Sequence, residues 1–279
     1  MGIRTRRARK HSRTHIAGFG AAGLFGFIAL VVIALAFSVG SIVEGWLQDL
    51  PDFDSPDAYV VSEPTTVYDS KGNVIAEFMA ENRRNVELSE ISPYVLTGTV
   101  DTEDIRFYQH NGVDPQGIAR AALVTLVGGS EGASTIDQQL VRNTVLSDEQ
   151  FDRTLKRKVR EAYIAVEMEK KYSKDQILNM YLNTIYYGNG AYGIEAAAKT
   201  YFNTTAKDLT LAQAALLVGI PNSPTMFDPT QNPEASVKRR NLVLKRMLDA
   251  GDISQEEYDE AYNTPLELNP GSNTMSNTG

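Results

Sequence analysis

The chain has 279 residues, with 27 Lys or Arg against 35 Asp or Glu, a formal charge of −8, no cysteine and three histidines. The absence of thiols excludes a disulfide framework, a thiolate nucleophile and a thiolate metal centre. With two histidines in the N-terminal tail (His11, His15), a histidine-rich metal site is excluded as well.

The first predicted element is a basic tail, residues 1–15, in which "RTRRARKHSR" carries six Lys or Arg and no acid. An uncharged run extends from Ile16 to Val43. About 20 apolar residues cross a bilayer, so this run predicts a transmembrane anchor over 16–43. A cleaved signal peptide is the competing reading, but its apolar core is shorter, about 7–15 residues. The positive-inside rule keeps the tail cytoplasmic and places the chain after Glu44 outside the cell membrane. That exported part has 21 basic against 35 acidic residues, a charge of −14, which gives no general affinity for nucleic acid.

Residues 44–63 read as a linker rich in Pro, Asp and Ser. "TTVYDSKGNVIAEF" (65–78) alternates β-branched and aromatic residues around a Ser-Lys-Gly-Asn turn and predicts a hairpin. Beyond about 91 the pattern is helical. The segment 147–172 predicts one long helix capped by Ser or Asp, with apolar residues at 155, 159, 162, 163, 166 and 168. From Ser173 the pattern is a capped helix, a Gly-rich break and another helix. "TLAQAALLVGIPNSP" predicts a buried helix stopped by Gly and Pro, and "PEASVKRRNLVLKRMLDAG" an amphipathic one ending at Gly251. Residues 64–265 are one mainly α domain, and 266–279 a disordered tail.

Four stretches could carry chemistry. "DTEDIRFYQHNGVD" (101–114), read as a helix, puts Glu103, Phe107 and His110 on one face. A carboxylate beside a ring suits a general acid or base, although Glu-Asp before Phe also reads as a solvated helix start. "GGSEGASTIDQQLVRN" (128–143) offers backbone amides, hydroxyls and side-chain amides to an anion or a sugar, and equally reads as a capped surface helix. "RTLKRKVRE" sets Arg153, Arg157 and Glu161 at i, i+4 and i+8, a concentrated cation site in an acidic domain or else a solvated ion-paired face. In "YLNTIYYGNGAYGIEAAAKTYF" the aromatics read as helix packing rather than a sugar-stacking wall.

In order and spacing the set resembles the peptidoglycan glycosyltransferases of family 51, found alone or as the N-terminal domain of class A penicillin-binding proteins. Glu103 to Asp114 matches E-D-x-x-F-x-x-H-x-G-x-D. Gly132 to Gln139 matches G-G-S-T-x-x-Q-Q, Arg157 to Glu161 matches R-K-x-x-E, and Tyr181 to Gly193 matches the Tyr-Leu-Asn and Gly-x-G-x-x-G region. The resemblance implies a lysozyme-like domain that polymerises lipid II into β-1,4 glycan strands with inversion, releasing undecaprenyl diphosphate. Its partners would be lipid II, the nascent strand, the bilayer and other cell-wall synthesis and division proteins.

Carried over residue by residue, Glu103 would be the general base and Glu161 the second acid, assisting departure of diphosphate directly or through a divalent ion. Ser134, Thr135, Gln138, Gln139, Arg142 and Asn143 would hold the donor, Arg153, Arg157 and Lys158 the leaving diphosphate, and His110 would shape the site. No cofactor is required; Mg²⁺ or Mn²⁺ at Glu161 is the one metal the resemblance allows. "GIARAALVTLVGG" (117–129) is apolar enough to dip into a membrane interface. Departures from the motifs are Asp101, Ala133, Asp137, Arg142 and Gln213, of which the two acids add negative charge. No Ser-x-x-Lys or Lys-Thr-Gly occurs, so a penicillin-binding transpeptidase domain is not expected here, and a truncated bifunctional protein is the favoured origin. A membrane-bound muramidase and a catalytically inactive cell-wall scaffold are the alternatives.

Overall fold

The computed structural model describes residues 30–59, 65–68, 74–78, 84–129 and 132–270. The chain divides into two compact units, Met1–Leu50 and Pro51–Gly279. In the first, helix α1 (Leu30–Leu47) has a mean hydropathy of 2.0 and buries none of its side chains within the protein. By length and composition it is able to cross a membrane. Residues 16–29 of the expected anchor lie outside the described residues, and the helix runs four residues past Val43.

In the second unit, strands β1 (Thr65–Tyr68) and β2 (Val74–Phe78) pair antiparallel with a register shift at Val67/Tyr68. The turn the sequence suggests between them, at 70–73, lies outside the described residues. All the other regular elements described are helical: α2 (Pro93–Glu103), α3 (Pro115–Leu126), α4 (Ile136–Asn143), α5 (Leu155–Glu169), α6 (Lys174–Thr184), α7 (Ile194–Phe202), α8 (Leu211–Gly219), α9 (Pro233–Ala250) and α10 (Gln255–Asn263).

Their ends obey local chemistry. Thr135, Ser173, Thr210 and Ser254 each cap a helix and exchange hydrogen bonds with a Gln or Glu three residues on. This capping box satisfies two backbone donors that a helix start otherwise leaves bare. Helix α8 stops at Gly219, where a single 3-10 turn containing Pro221 takes over. Helix α9 ends on Gly251, whose φ of +88° is left-handed, as the sequence suggested.

Helix α8 is the centre of the core, with Leu211, Ala214, Ala215, Leu216, Leu217 and Val218 all buried. Burying each of its larger side chains contributes about 1.5–3 kcal/mol. Helices α2 and α9 pack on it and on each other. They approach closely at Gly98, where a β-carbon would lie 3.1 Å from the sulfur of Met247. A second group joins α4 to α5 and α6. Gly112 locks this group to the chain before it. Its φ is +78°, and an added β-carbon would lie 2.6 Å from the Ala165 backbone. Its N–H donates to Glu169 and its carbonyl accepts from Thr135 Oγ1.

Two sequence readings change here. The stretch 101–114 is not one helix, because α2 ends at Glu103 and a separate 3-10 turn holds Phe107–Gln109. Asp104 leaves the helix with φ −161°, and its carboxylate accepts from the Ile136 N–H, a contact a continued helix would turn away. Nor does a helix start at Ser147. A 3-10 turn occupies Ser147–Glu149, and α5 is capped by Thr154. The buried face of α5 runs through Arg157, Glu161, Ile164 and Met168, while Leu155 and Tyr163 are exposed. Apolar periodicity misses such a face because its first half is made of charges that pair with one another.

Candidate active site

Between the two helix groups lies a cleft of about 650 Å³. Its wall is built from the last residues of α2 (Asp101 to Asp104), the start of α3, the loop 132–135, Gln139 and Arg142 of α4, Pro221 and Asn222 after α8, and Arg239, Arg246 and Asp249 of α9.

Glu103 is the acid at the centre of this wall. Because α2 ends there, its side chain reaches the cleft at the helix terminus instead of packing on the next turn. Gln139 Nε2 donates to Glu103 Oε2 at 2.9 Å. The amide is oriented from behind by Tyr181, whose hydroxyl donates to Gln139 Oε1 at 3.1 Å. Burial first, then the charge of Glu103, hold the Tyr181 hydroxyl well above its usual range, so it stays a donor. Glu103 Oε1 has no hydrogen-bond partner, and Arg239 Nη2 stands 3.7 Å from it. Arg239 is held by its own contacts: Nε donates to the Gly219 carbonyl at 3.3 Å, and the guanidinium lies over the Phe227 ring. A cleft-lining carboxylate with one oxygen hydrogen-bonded and a cation beside the other is a candidate to accept a proton from a hydroxyl.

The sequence-predicted residues divide into two groups. Ser134, Thr135, Gln139 and Arg142 line the cleft with Glu103. Thr135 is already engaged, its hydroxyl donating to the Gly112 carbonyl and accepting from the Gln138 N–H. Gln138 is buried and returns its side-chain oxygen to the Thr135 N–H, so it serves the cap rather than the cleft. Asn143 donates to the Gln139 carbonyl one turn back. His110 does not share a face with Glu103: its buried ring lies 2.9 Å from Asp104 through Nε2. Phe107 is fully buried, with the Lys174 ammonium 4.2 Å from its ring centre.

The basic run departs furthest from expectation. Arg153 lies outside α5 and is exposed. Glu161 is 0% exposed, bonded on one oxygen by Arg157 and on the other by Lys158 Nζ at 2.7 Å. Arg157 also donates to the Asp152 carbonyl and is itself buried. Lys158 reaches furthest toward the cleft, donating to Ser134 Oγ at 2.8 Å. A divalent cation on Glu161 does not fit this arrangement, since both oxygens already meet cationic donors.

The two unusual acids also separate. Asp137 is fully buried and outside the cleft wall, so it does not face a ligand there. Asp101 does line the cleft, but faces Asp252; burial and that neighbouring carboxylate push it up to about 7. Arg239 and Arg246 were missed by sequence reasoning. Their signal is present in "KRRNLVLKRM", where the two arginines stand seven apart on one helical face. An amphipathic reading assigns such a face to solvent.

A family model described as Transglycosylase matches residues 71–248. Penicillin-binding protein 1A of Escherichia coli (strain K12) is 42% identical over 248 residues, 87% of this chain and 29% of that one. Penicillin-binding protein 1A of Aquifex aeolicus (strain VF5) is 41% identical, over 86% of this chain and 33% of its own length. Penicillin-binding protein 1A/1B of Bacillus subtilis (strain 168) is 41% identical, over 84% and 26%. The chain thus spans about a third or less of the curated relatives it matches. With its family match centred on the helices that build the cleft, this chain belongs to the transglycosylase family and carries its peptidoglycan glycosyltransferase domain.

Proposed function

We propose that the cleft polymerises lipid II. The 4-hydroxyl oxygen of the acceptor sugar attacks the donor's C1 while the bond from C1 to the diphosphate oxygen breaks. The anomeric centre inverts, and undecaprenyl diphosphate leaves. Glu103 takes the hydroxyl proton, its carboxylate fixed by Gln139 at one oxygen and flanked by Arg239 at the other, and this is the observation that supports the reading most. Negative charge develops on the leaving diphosphate, where preorganised cations lower the barrier. Arg120, Arg142, Arg239 and Arg246 line the cleft and supply positive charge there, with Lys158 behind Ser134. Arg157 and Glu161 hold Lys158 in place. No step is assigned to a divalent ion, because both Glu161 oxygens already face cationic side chains.

The same reading covers the surroundings. The basic tail is cytoplasmic, α1 crosses the cell membrane, and a lysozyme-like catalytic domain with an N-terminal β-hairpin works on the outer face. On α3 and just beyond it, Ile118, Leu123, Leu126 and Val127 are 46–85% exposed, a surface suited to the interface where a polyprenyl substrate sits.

The test is incubation of the detergent-solubilised chain with labelled lipid II, with Glu103→Gln alongside. A glycan ladder from the wild type, lost in the variant and blocked by moenomycin, is the expected result. Release of fragments from finished glycan would instead establish a muramidase, and bound but unconverted lipid II a scaffold.

A further inference from the structure

Behind the cleft wall, Asp104, His110 and Asp137 bring one ligand atom each to within 4.8 Å of one another. All three are at least nine-tenths buried, at 7%, 9% and 0% exposure. The mechanism uses none of them, and part of the cluster is unsatisfied although His110 Nε2 meets Asp104. Neither oxygen of Asp137 has a hydrogen-bond partner, and neither does His110 Nδ1. A buried carboxylate in that state is costly unless a cation answers it.

Three carboxylates gather here, Asp104, Asp137 and Glu169, the last close enough to Asp137 to act on it electrostatically. Lys174 answers one, 3.7 Å from Asp137 and paired with Glu169. Arg106 and Asp114, the latter also near His110, pair with each other and cancel. An imidazole with two carboxylates is a ligand set for a borderline first-row ion such as Zn²⁺, whereas Mg²⁺ prefers oxygen alone. Support behind the ligands exists in the Ile136 N–H donated to Asp104 Oδ2 at 3.1 Å. An entry path exists too, because Asp104 lines the cleft.

We propose that Asp104, His110 and Asp137 bind one zinc-class divalent cation, which staples the chain on either side of the catalytic wall. Asp104 directly follows Glu103, and Asp137 lies two residues before Gln139 on α4, so the ion ties together the two elements that aim the base. The site is separate from Glu161 and does not depend on the glycosyl-transfer reading.

The test uses the full chain, purified without a histidine tag, with His11→Gln and His15→Gln removing the only other imidazoles. After chelator treatment, Zn²⁺ titration followed by calorimetry should give one equivalent bound. The melting temperature should rise by roughly 5–10 °C at free Zn²⁺ about a hundredfold above Kd. Asp137→Thr, a side chain of similar size without a carboxylate, should fold and lose both effects, as should His110→Asn. Failure of the stripped protein to take up Zn²⁺, retention of binding by Asp137→Thr, or equal binding of Mg²⁺ would each overturn the assignment.

Discussion

Arg239 of α9 places its guanidinium 3.7 Å from the carboxylate of Glu103 at the end of α2, bringing a cation beside the acid from a distant part of the sequence. In the proposed reaction Glu103 takes a proton there, and Arg239→Ala removes the cation beside it. Polymerisation of lipid II by Arg239→Ala should fall about 100-fold, with Arg239→Lys recovering part of the loss. Melting temperatures measured on the same samples check that both variants are folded. Equal activity in Arg239→Ala and wild type would remove Arg239 from the site.

The line from Tyr181 through Gln139 to Glu103 predicts coupling between residues that never meet the substrate together. Tyr181→Phe deletes the hydroxyl that orients the amide and should cost about 1 kcal/mol of stability. Turnover should drop several-fold in Tyr181→Phe and further in Gln139→Ala. The double variant should be no worse than Gln139→Ala, since the tyrosine acts only through the amide. Additive losses in that cycle would show that the two residues work independently.

Glu161 answers two cations in a fully buried position. Glu161→Gln leaves Arg157 and Lys158 uncompensated, which should destabilise the fold by about 3–5 kcal/mol. Urea unfolding measures this directly. A variant of unchanged stability but abolished turnover would mean that Glu161 acts on the substrate instead.

Asp101 gives a pH dependence of defined sign. In the folded chain it holds its proton up to about 7, whereas an unfolded carboxyl releases near 4. The native state therefore binds more protons between those values, so this group's contribution to stability falls as pH rises through the window. The slope is at most about 1.4 kcal/mol per pH unit. Melting curves from pH 4 to 8 should show Asp101→Asn gaining on the wild type as pH rises, with a plateau above about 7. Parallel curves would mean that neither burial nor Asp252 raises Asp101 in the folded chain.

Much of this protein is written locally. The apolar run of α1, the capping boxes at Thr135 and Ser173, and the stop at Gly251 depend on contacts within a turn or two. The family motifs that mark Glu103 and Gln139 by resemblance are likewise short local stretches. What the sequence by itself determined was therefore the helical class and the membrane-crossing candidate, with Glu103 a candidate acid through that resemblance.

Only the tertiary structure decided which charges face the cleft. Arg157, Glu161 and Lys158 read as an exposed cation site, yet Glu161 is sealed inside and two of its neighbours are turned toward it. Arg239 and Arg246 read as the wet face of an amphipathic helix, yet α9 crosses α2 and delivers both to the acid's surroundings. Asp137 read as a charge near the substrate, yet it is buried behind the wall with His110 and Asp104. A hydrophobic side chain announces its burial by its own transfer free energy. A charged one is buried or exposed according to whether a partner from elsewhere in the chain meets it, and that meeting exists only once the chain is folded.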